Sequence, residues 1–213
     1  MTLNKYNEHN YEKLTAAISP ALRGEGKEEK VKLLIKRYSC INNILTAEFS
    51  ELSQLVGESA AVYIKVLSAV TSRRYTEAFE FGKPHSRAEI AEYFKALFLT
   101  ECVECVCAML LDDEGIPTSV KLINRGTVSA SDVIPRKILE TAINGGSHRV
   151  ILAHNHPHGL AKASEDDIRL TSCVSEVLSM VGIKLEYHLV VAGDESDLVS
   201  NFAADIIKDS RQR

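Results

Sequence analysis

The spacing of apolar residues changes after Thr100, and this change limits the possible folds more than any other feature of the chain. Between residues 28 and 74 apolar side chains recur at intervals of three and four, which is typical of amphipathic helices. From residue 102 onward, short apolar runs alternate with helical segments and are separated by turns. Alternating strands and helices indicate a sheet covered by helices. The sequence therefore predicts a small all-α helical bundle, followed by an α/β sheet domain over roughly residues 100–213.

Local patterns place the elements of the second half. Ser86 and Glu89 form a capping-box pattern, and Pro135 lies in the first turn of another predicted helix. The apolar centre of segment 148–154 indicates a strand that is buried on both faces. Strands are predicted over 102–111, 117–124, 148–154 and 183–192, and helices over 86–98, 132–145, 164–181 and 198–207.

Composition is that of an ordinary globular protein, with 45% hydrophobic and 25% charged residues among 213. The net charge is −4, and it is unevenly distributed. Residues 1–99 contain 14 basic and 12 acidic side chains, whereas residues 100–213 contain 11 and 17. The sequence contains no basic tract of the kind that would indicate strong binding to nucleic acid. We predict two domains, 1–82 and 86–213, joined by the loop at residues 81–86.

Cysteine usage and the first residues bear on the compartment. The five cysteines are odd in number and three of them lie within six residues, unlike a secreted disulfide framework. The first twenty residues lack the apolar core of a secretory signal, and no apolar run approaches the ~18–20 residues of a membrane-spanning helix. We therefore expect free thiols, a cytoplasmic location and no membrane partner.

The segment from 154 to 167 contains the residues best suited to chemistry. His154 and His156 are two positions apart at the end of a predicted strand, so both rings point to the same side. Ser164 and Asp167 form a cap pattern that puts Asp167 in the first turn of a helix, where an anion is favoured. Two imidazoles and a carboxylate are typical of a catalytic zinc site whose fourth position is left to water. Such an ion lowers the pKa of the water to roughly 7.

This pattern of His-x-His, seven residues and Ser-x-x-Asp resembles the metal-binding motif of the JAB/MPN metalloprotease superfamily. Its surroundings resemble the bacterial RadC-like branch over roughly residues 98–205. The similar segments are Gly126-Thr127-Val128, Ile134-Pro135-Arg136-Lys137-Ile138, Ile151 to Pro157, and Tyr187-His188-Leu189-Val190-Val191. The resemblance implies a JAB/MPN-like, or cytidine-deaminase-like, fold with a mixed β-sheet flanked by helices.

The resemblance also implies roles for individual residues. His154, His156 and Asp167 would hold Zn²⁺, and Ser164 would help to stabilise the oxyanion. A glutamate ahead of an apolar strand would act as general base, and Glu104 fits that register, with Glu101 as the competitor. Because Glu104 interrupts an apolar run, we expect a partly buried carboxylate with a raised pKa. The alternative is a solvent-facing glutamate at the start of the strand.

Several residues depart from the family pattern or allow two interpretations. His158 stands where the branch usually has serine, and we expect it to be solvated rather than a spare ligand or proton carrier. Tyr187 replaces the usual aspartate before His188, which leaves His188 as either a structural or a functional histidine. Weaker candidates are the pair Cys102 and Cys105, expected to be core thiols, and Arg125 and Arg136, expected to be solvated.

The predicted helical domain resembles a degenerate helix-hairpin-helix around residues 52–61, in which only Gly57 of the glycine turn is kept and Glu58 follows it.

The main functional prediction is a zinc-dependent metallohydrolase that cleaves peptide or isopeptide bonds. The alternatives are a DNA-repair-associated or nucleic-acid-binding module with a structural or non-catalytic metal site, and a metal-stabilised scaffold. Expected partners are a peptide or isopeptide substrate, with DNA and a second copy of the chain (a homodimer) left open.

Overall fold

A computed structural model of the chain describes residues 16, 18–22, 26–38, 41–126, 133–157 and 159–199. The chain divides into two compact units, one comprising residues 1–76 and 96–102 and the other comprising residues 77–95 and 103–213. The sequence-based domain limits of 1–82 and 86–213 stay a prediction. Among the described residues, no helix combines the length and the apolar character needed to cross a membrane.

The first unit is helical. Its main helices are α1 (Lys27–Tyr38), α2 (Ile41–Thr46), α3 (Phe49–Val56) and most of α4 (Glu58–Ala78). The helices bury apolar stripes against one another, with Leu34, Ile44, Leu52 and Ile64 fully buried. The helical character predicted for the N-terminal part is therefore confirmed.

The segment that resembles a helix-hairpin-helix lies at the junction of α3 and α4. Gly57 alone joins the two helices and has a φ of 92°, a conformation that favours glycine. Glu58 is the first residue of α4 and is exposed. DNA binding by this segment stays a prediction.

The second unit contains a five-stranded sheet. The capping box predicted at Ser86 is formed, because the Ser86 N–H donates to the Glu89 carboxylate at 2.8 Å and the Glu89 N–H donates to Ser86 Oγ at 3.3 Å. The elements from there on are α5 (Arg87–Phe98), whose residues 96–98 belong to the first unit, β1 (Cys105–Leu111), β2 (Pro117–Arg125), α6 (Val133–Asn144), β3 (Arg149–Asn155), α7 (Glu165–Ser179), β4 (Lys184–Ala192) and β5 (Glu195–Leu198).

The strands lie in the order β2-β1-β3-β4-β5. Only β3 and β4 are parallel, and the other neighbouring pairs are antiparallel. The connection between β3 and β4 contains α7, as a parallel crossover requires. Strands β1 and β3 are central, which explains why every residue of β1 and all but the first of β3 are buried.

The main core of the second unit lies between the sheet and helices α6 and α7. Alternate residues of the central strands, such as Ala108 on β1 and Leu152 on β3, pack with Ile138 of α6 and Val174 of α7. The fold is thus a mixed α/β domain with a mixed five-stranded sheet flanked by helices, as expected.

One predicted element is wrong where it can be compared. Leu198 was expected to begin a last helix, but it ends β5 and lies opposite Leu189 of β4. Pairing with the edge of the sheet supplies backbone partners that overrule the local helical pattern. The sequence also predicts a short helix around residues 11–18 and a helix cap at Asp132. Most of the former, the latter, and the rest of the predicted helix 198–207 lie outside the described residues.

Helix α6 offers a direct test of the core. Ile138→Ala removes a fully buried side chain, so it should lower the free energy of unfolding by about 2–5 kcal/mol. Ile143→Ala, on the same helix but 56% exposed, should change it by less than about 0.5 kcal/mol. Urea denaturation measures both, and equal effects would contradict the described packing.

Candidate metal centre

His154 lies near the carboxyl end of β3, the strand that pairs with β1 on one side and with β4 on the other. Its Cα is opposite Val106 of antiparallel β1 and Val190 of parallel β4. It follows Val150 and Leu152 on the face that packs against α6 and α7, so its ring is buried, with 4% of the residue exposed. The strand thus fixes one imidazole at the point where the core meets the loops.

His156 is the first residue after β3 and is held by the turn that follows. Its N–H donates to the Val191 carbonyl at 2.8 Å, which extends the pairing with β4 by one residue. Its ring Nδ1–H donates to the Leu160 carbonyl at 3.0 Å, because a carbonyl can only accept. A Cβ at Gly159 would lie 3.1 Å from His156 Cβ, so glycine lets the turn close against this side chain. His156 therefore presents Nε2 to the interior of the site.

Asp167 comes from the first turn of α7 and is held by a capping box. Its N–H donates to Ser164 Oγ at 3.1 Å, while its Oδ2 accepts from the Ser164 N–H at 2.7 Å and from the Ser164 hydroxyl at 2.6 Å. This is the predicted cap pattern of Ser164-x-x-Asp167. The positive end of the helix dipole further favours the carboxylate here.

The three side chains converge. His154 Nε2 lies 3.0 Å from His156 Nε2 and 3.1 Å from Asp167 Oδ1, and Asp167 Oδ2 lies 3.6 Å from His156 Nε2. Among the described residues, they are the only group of three or more His, Cys, Asp or Glu side chains close enough together to hold one metal ion.

The donor set and spacing fit zinc. Tetrahedral bonds of about 2.0–2.1 Å separate two nitrogen ligands by roughly 3.3 Å, close to the spacing of the two Nε2 atoms. Two imidazoles and one carboxylate leave a fourth position. The side chains of His156 and Asp167 are 18% and 15% exposed, so the group of ligands borders on solvent. These residues can hold a metal ion of the catalytic type.

The charges in the site are coupled. Burial opposes ionisation of Asp167, but its contacts with His154 and His156 outweigh burial and hold its pKa well below its usual range. The Asp167 carboxylate in turn raises the pKa of His156, and the charge of Glu104 adds to this effect. The carboxylates of Asp167 and Glu104 therefore favour a positive charge beside His156, whether on the ring or on a bound cation.

Glu104 differs in part from its prediction. It was expected to interrupt a strand as a partly buried carboxylate, but it is exposed and directly precedes β1. Apolar residues on both sides of Glu104 favoured the prediction of a longer strand that includes this residue. Its proximity to the site follows from the register, since Val106 is opposite His154, and from the effect of its charge on His156. Glu101 belongs to the other compact unit.

Asn155 fixes the backbone on both sides of Glu104, and sequence reasoning missed this role. Its Oδ1 accepts from the buried Cys105 N–H at 2.7 Å, and its Nδ2 donates to the Val103 carbonyl at 3.1 Å. The Glu104 carbonyl accepts from the Gly126 N–H at 2.7 Å. A buried asparagine between two ligand candidates was the signal that could have revealed it.

His188 also contacts the site. Its Nε2 lies 2.7 Å from His154 Nδ1, and its Nδ1 lies 2.7 Å from Thr171 Oγ1. Complete burial lowers the pKa of His188 well below its usual value and so favours the neutral ring. Thr171 was not singled out from the sequence, although its position one turn after Asp167 puts both on the same helix face.

The remaining candidates that the structure describes do not belong to the group of His154, His156 and Asp167. Arg136 pairs with Glu140 along α6, at 2.8 Å and exposed. Cys105 is buried in β1, whereas Cys102 precedes the strand, with its Sγ 3.7 Å from Lys65 Nζ. Neither cysteine belongs to a metal-holding group among the described residues. Arg125 ends β2, opposite Cys105, and His158 lies outside the described residues.

Comparisons with known proteins agree with this geometry. A family model described as the RadC-like JAB domain matches residues 84–205. A UPF0758 protein of Finegoldia magna is 32% identical over 183 residues, which cover 80% of this chain and 79% of the relative. The UPF0758 protein Bpet3149 of Bordetella petrii is 30% identical over 190 residues, covering 86% and 83%.

These findings define the class of protein as the JAB/MPN superfamily. Within it, the chain belongs to the RadC-like JAB domain family, as its sequence motifs indicated.

The contacts of Asn155 can be tested without a substrate. Asn155→Ala leaves the buried Cys105 N–H without its acceptor, which should cost about 1–3 kcal/mol and speed exchange of the Cys105 amide hydrogen. Hydrogen exchange followed by NMR measures the second effect. Asn144→Ala, at an exposed position of α6, is the control and should leave the Cys105 amide protected. Unchanged exchange in Asn155→Ala would contradict the role given to Asn155.

Proposed function

We propose that this protein is a zinc-dependent metallohydrolase of the JAMM type that cleaves amide bonds in a peptide or an isopeptide. The observation that carries the proposal is the convergence of His154 Nε2, His156 Nε2 and an Asp167 carboxylate oxygen within one small volume. Membership of the RadC-like JAB domain family supports it, because JAB domains are often hydrolytic.

His154, His156 and Asp167 would hold the zinc ion. When bound, the ion supplies a Lewis acid that activates a water molecule and polarises the substrate carbonyl. The chain's own contribution is to fix the direction of each ligand. Leu160 orients the His156 ring and Ser164 orients the Asp167 carboxylate.

Glu104 is proposed as the general base. Its carboxylate lies at the solvent-exposed edge of the site, near enough for its charge to raise the pKa of His156. It would take a proton from water and later give it to the leaving amine. The contacts of Asn155 with residues 103 and 105 keep the Glu104 backbone in place.

Ser164 is proposed to stabilise the oxyanion. Its hydroxyl donates to Asp167 Oδ2, while its N–H donates to the same oxygen. Because the N–H contact would remain, the hydroxyl can turn to a substrate carbonyl oxygen without leaving the carboxylate unheld. The cap role and the proposed catalytic role are therefore compatible.

The proposed compartment is a reducing cytoplasm. No disulfide joins the four cysteines that the structure describes, Cys102, Cys105, Cys107 and Cys173, which supports a reducing environment.

Zinc binding is the first test. Metal-free protein should bind one equivalent of Zn²⁺ per chain, with a rise in Tm, because the ion stabilises the folded state. Asp167→Asn and His156→Ala should each lose more affinity than the roughly 10–100-fold that removal of an outer hydrogen bond costs. Zinc titration against a chromophoric chelator measures this.

His148→Ala is the matched control, because His148 is exposed and pairs with Asp113 outside the site. It should bind zinc as the wild type does. Wild-type protein that binds no zinc, or equal affinity in His156→Ala, would reject the proposed metal centre.

Glu104→Gln tests the general base. The variant should bind zinc normally and lose about 10²–10⁴-fold in hydrolysis of any peptide or lysine-isopeptide substrate that the wild type cleaves, because amide nitrogen cannot accept the proton. Glu101→Gln is the control and should remain active. If Glu104→Gln stays active while Glu101→Gln does not, the roles of the two glutamates are reversed.

A further inference from the structure

A chain of hydrogen bonds links two of the proposed zinc ligands through the interior of the protein. Thr171 Oγ1 lies 2.6 Å from the Asp167 carbonyl oxygen and 2.7 Å from His188 Nδ1. His188 Nε2 lies 2.7 Å from His154 Nδ1. These side chains are buried, so water cannot supply substitute partners.

The direction of the chain follows from the number of protons available. A threonine hydroxyl has one proton, and a backbone carbonyl can only accept. The Thr171 hydroxyl must therefore donate to the backbone carbonyl of Asp167, since two oxygens 2.6 Å apart with no hydrogen between them would repel each other. Having given its proton, Thr171 Oγ1 is an acceptor towards His188.

This assignment fixes the proton on His188. Nδ1 of His188 must carry the hydrogen, because otherwise two lone pairs would face each other over 2.7 Å. In a neutral imidazole the other nitrogen is then an acceptor. His188 Nε2 therefore accepts from His154 Nδ1–H. Nε2 is then the nitrogen of His154 that faces His156 Nε2 and Asp167 Oδ1, where a proton or a metal ion must lie between the three groups.

The fold explains why these groups meet. His154 is opposite Val190 on parallel β4, and His188 is two residues before Val190, so both rings lie on the same face of the sheet. Thr171 lies one turn beyond Asp167 on α7, which covers that face. The helix that supplies one ligand thus also supplies the residue that orients another.

We propose that Thr171 and His188 are positioning residues that hold His154 in the tautomer with its lone pair on Nε2, ready to bind zinc. The inference rests on the proposed function, since it concerns the same metal centre. His156 needs no such chain, because the Leu160 carbonyl fixes its ring directly. Partners of this kind commonly raise metal affinity by roughly 10–100-fold.

Paired substitutions test the proposal. Thr171→Val keeps the shape of the side chain but removes the hydroxyl, and it should weaken zinc binding by roughly 10–100-fold. Thr171→Ser keeps the hydroxyl and should bind zinc nearly as the wild type does. His188→Leu should weaken binding similarly, whereas His188→Gln, whose side-chain oxygen can accept from His154, should recover most of the affinity. Thermal unfolding of the metal-free proteins identifies variants that fail to fold.

A spectroscopic measurement separates positioning from a merely structural role. Long-range ¹H–¹⁵N correlation NMR of the imidazole rings in metal-free protein at pH 8 reports which nitrogen carries the hydrogen. We expect Nδ1–H on His188 in the wild type and in Thr171→Ser, and loss of this single assignment in Thr171→Val. Hydrogen on Nε2 of His188 in the wild type would overturn the proposal, as would Thr171→Val with unchanged zinc affinity.

The two proposals can fail separately. Wild-type protein that binds no zinc would reject the proposed function, and the nitrogen assignment on His188 would then decide the hydrogen-bond chain by itself. Wild-type protein that binds zinc tightly, together with unchanged affinity in both Thr171→Val and His188→Leu, would leave the metal centre standing and reject the positioning role.

Discussion

The central position of β3 is the constraint on which the site depends. Because β3 has hydrogen-bonded neighbours on both sides, its end cannot shift without breaking two ladders. Three consecutive residues at that end take up different tasks. His154 and His156 face the proposed metal position, while Asn155 forms hydrogen bonds with the backbone at the start of β1, on both sides of Glu104. The buried apolar residues of β1 and β3 fix the register between these two strands, and this register in turn fixes the positions of the three polar residues.

Helix α7 completes the site from the opposite direction, and its first turns serve two purposes. The capping box that starts the helix also aims the Asp167 carboxylate at the histidines. One turn later, Thr171 reaches the buried His188, while Val174 and Leu178 continue into the core. Packing of the helix on the sheet and orientation of the ligands are therefore coupled, so a shift of α7 would move Asp167 and the partner of His154 together. The low pKa of Asp167 and the raised pKa of His156 follow from the same close approach, and a bound cation would compete with protonation of His156 at Nε2.

The sequence was sufficient where an interaction is local. The His154-x-His156 pair and the Ser164-x-x-Asp167 cap each lie within four residues, so the periods of strand and helix determine their geometry. The sequence was not sufficient where an interaction depends on which elements are neighbours. The contact of Thr171 with His188 requires the parallel pairing of β3 and β4 beneath α7, which no local pattern encodes. The main expectation for Glu104, a partly buried carboxylate, gave way to the alternative of a solvent-facing residue, and the helix expected from Leu198 is a strand. Both differences have the same reason, because strand ends are set by pairing partners rather than by the local apolar pattern.

The departure from the family pattern at Tyr187 shows how the sheet separates one function from another. Successive residues of β4 point to opposite faces, so Tyr187 lies on the face away from His188. Its ring packs under the Arg87 guanidinium, 5.2 Å from the ring centroid, and burial raises the pKa of its hydroxyl to about 12. His188 keeps both of its contacts, to His154 and to Thr171. Tyr187, where the resemblance led us to expect aspartate, therefore packs on the face opposite to the residues that orient the proposed zinc ligands.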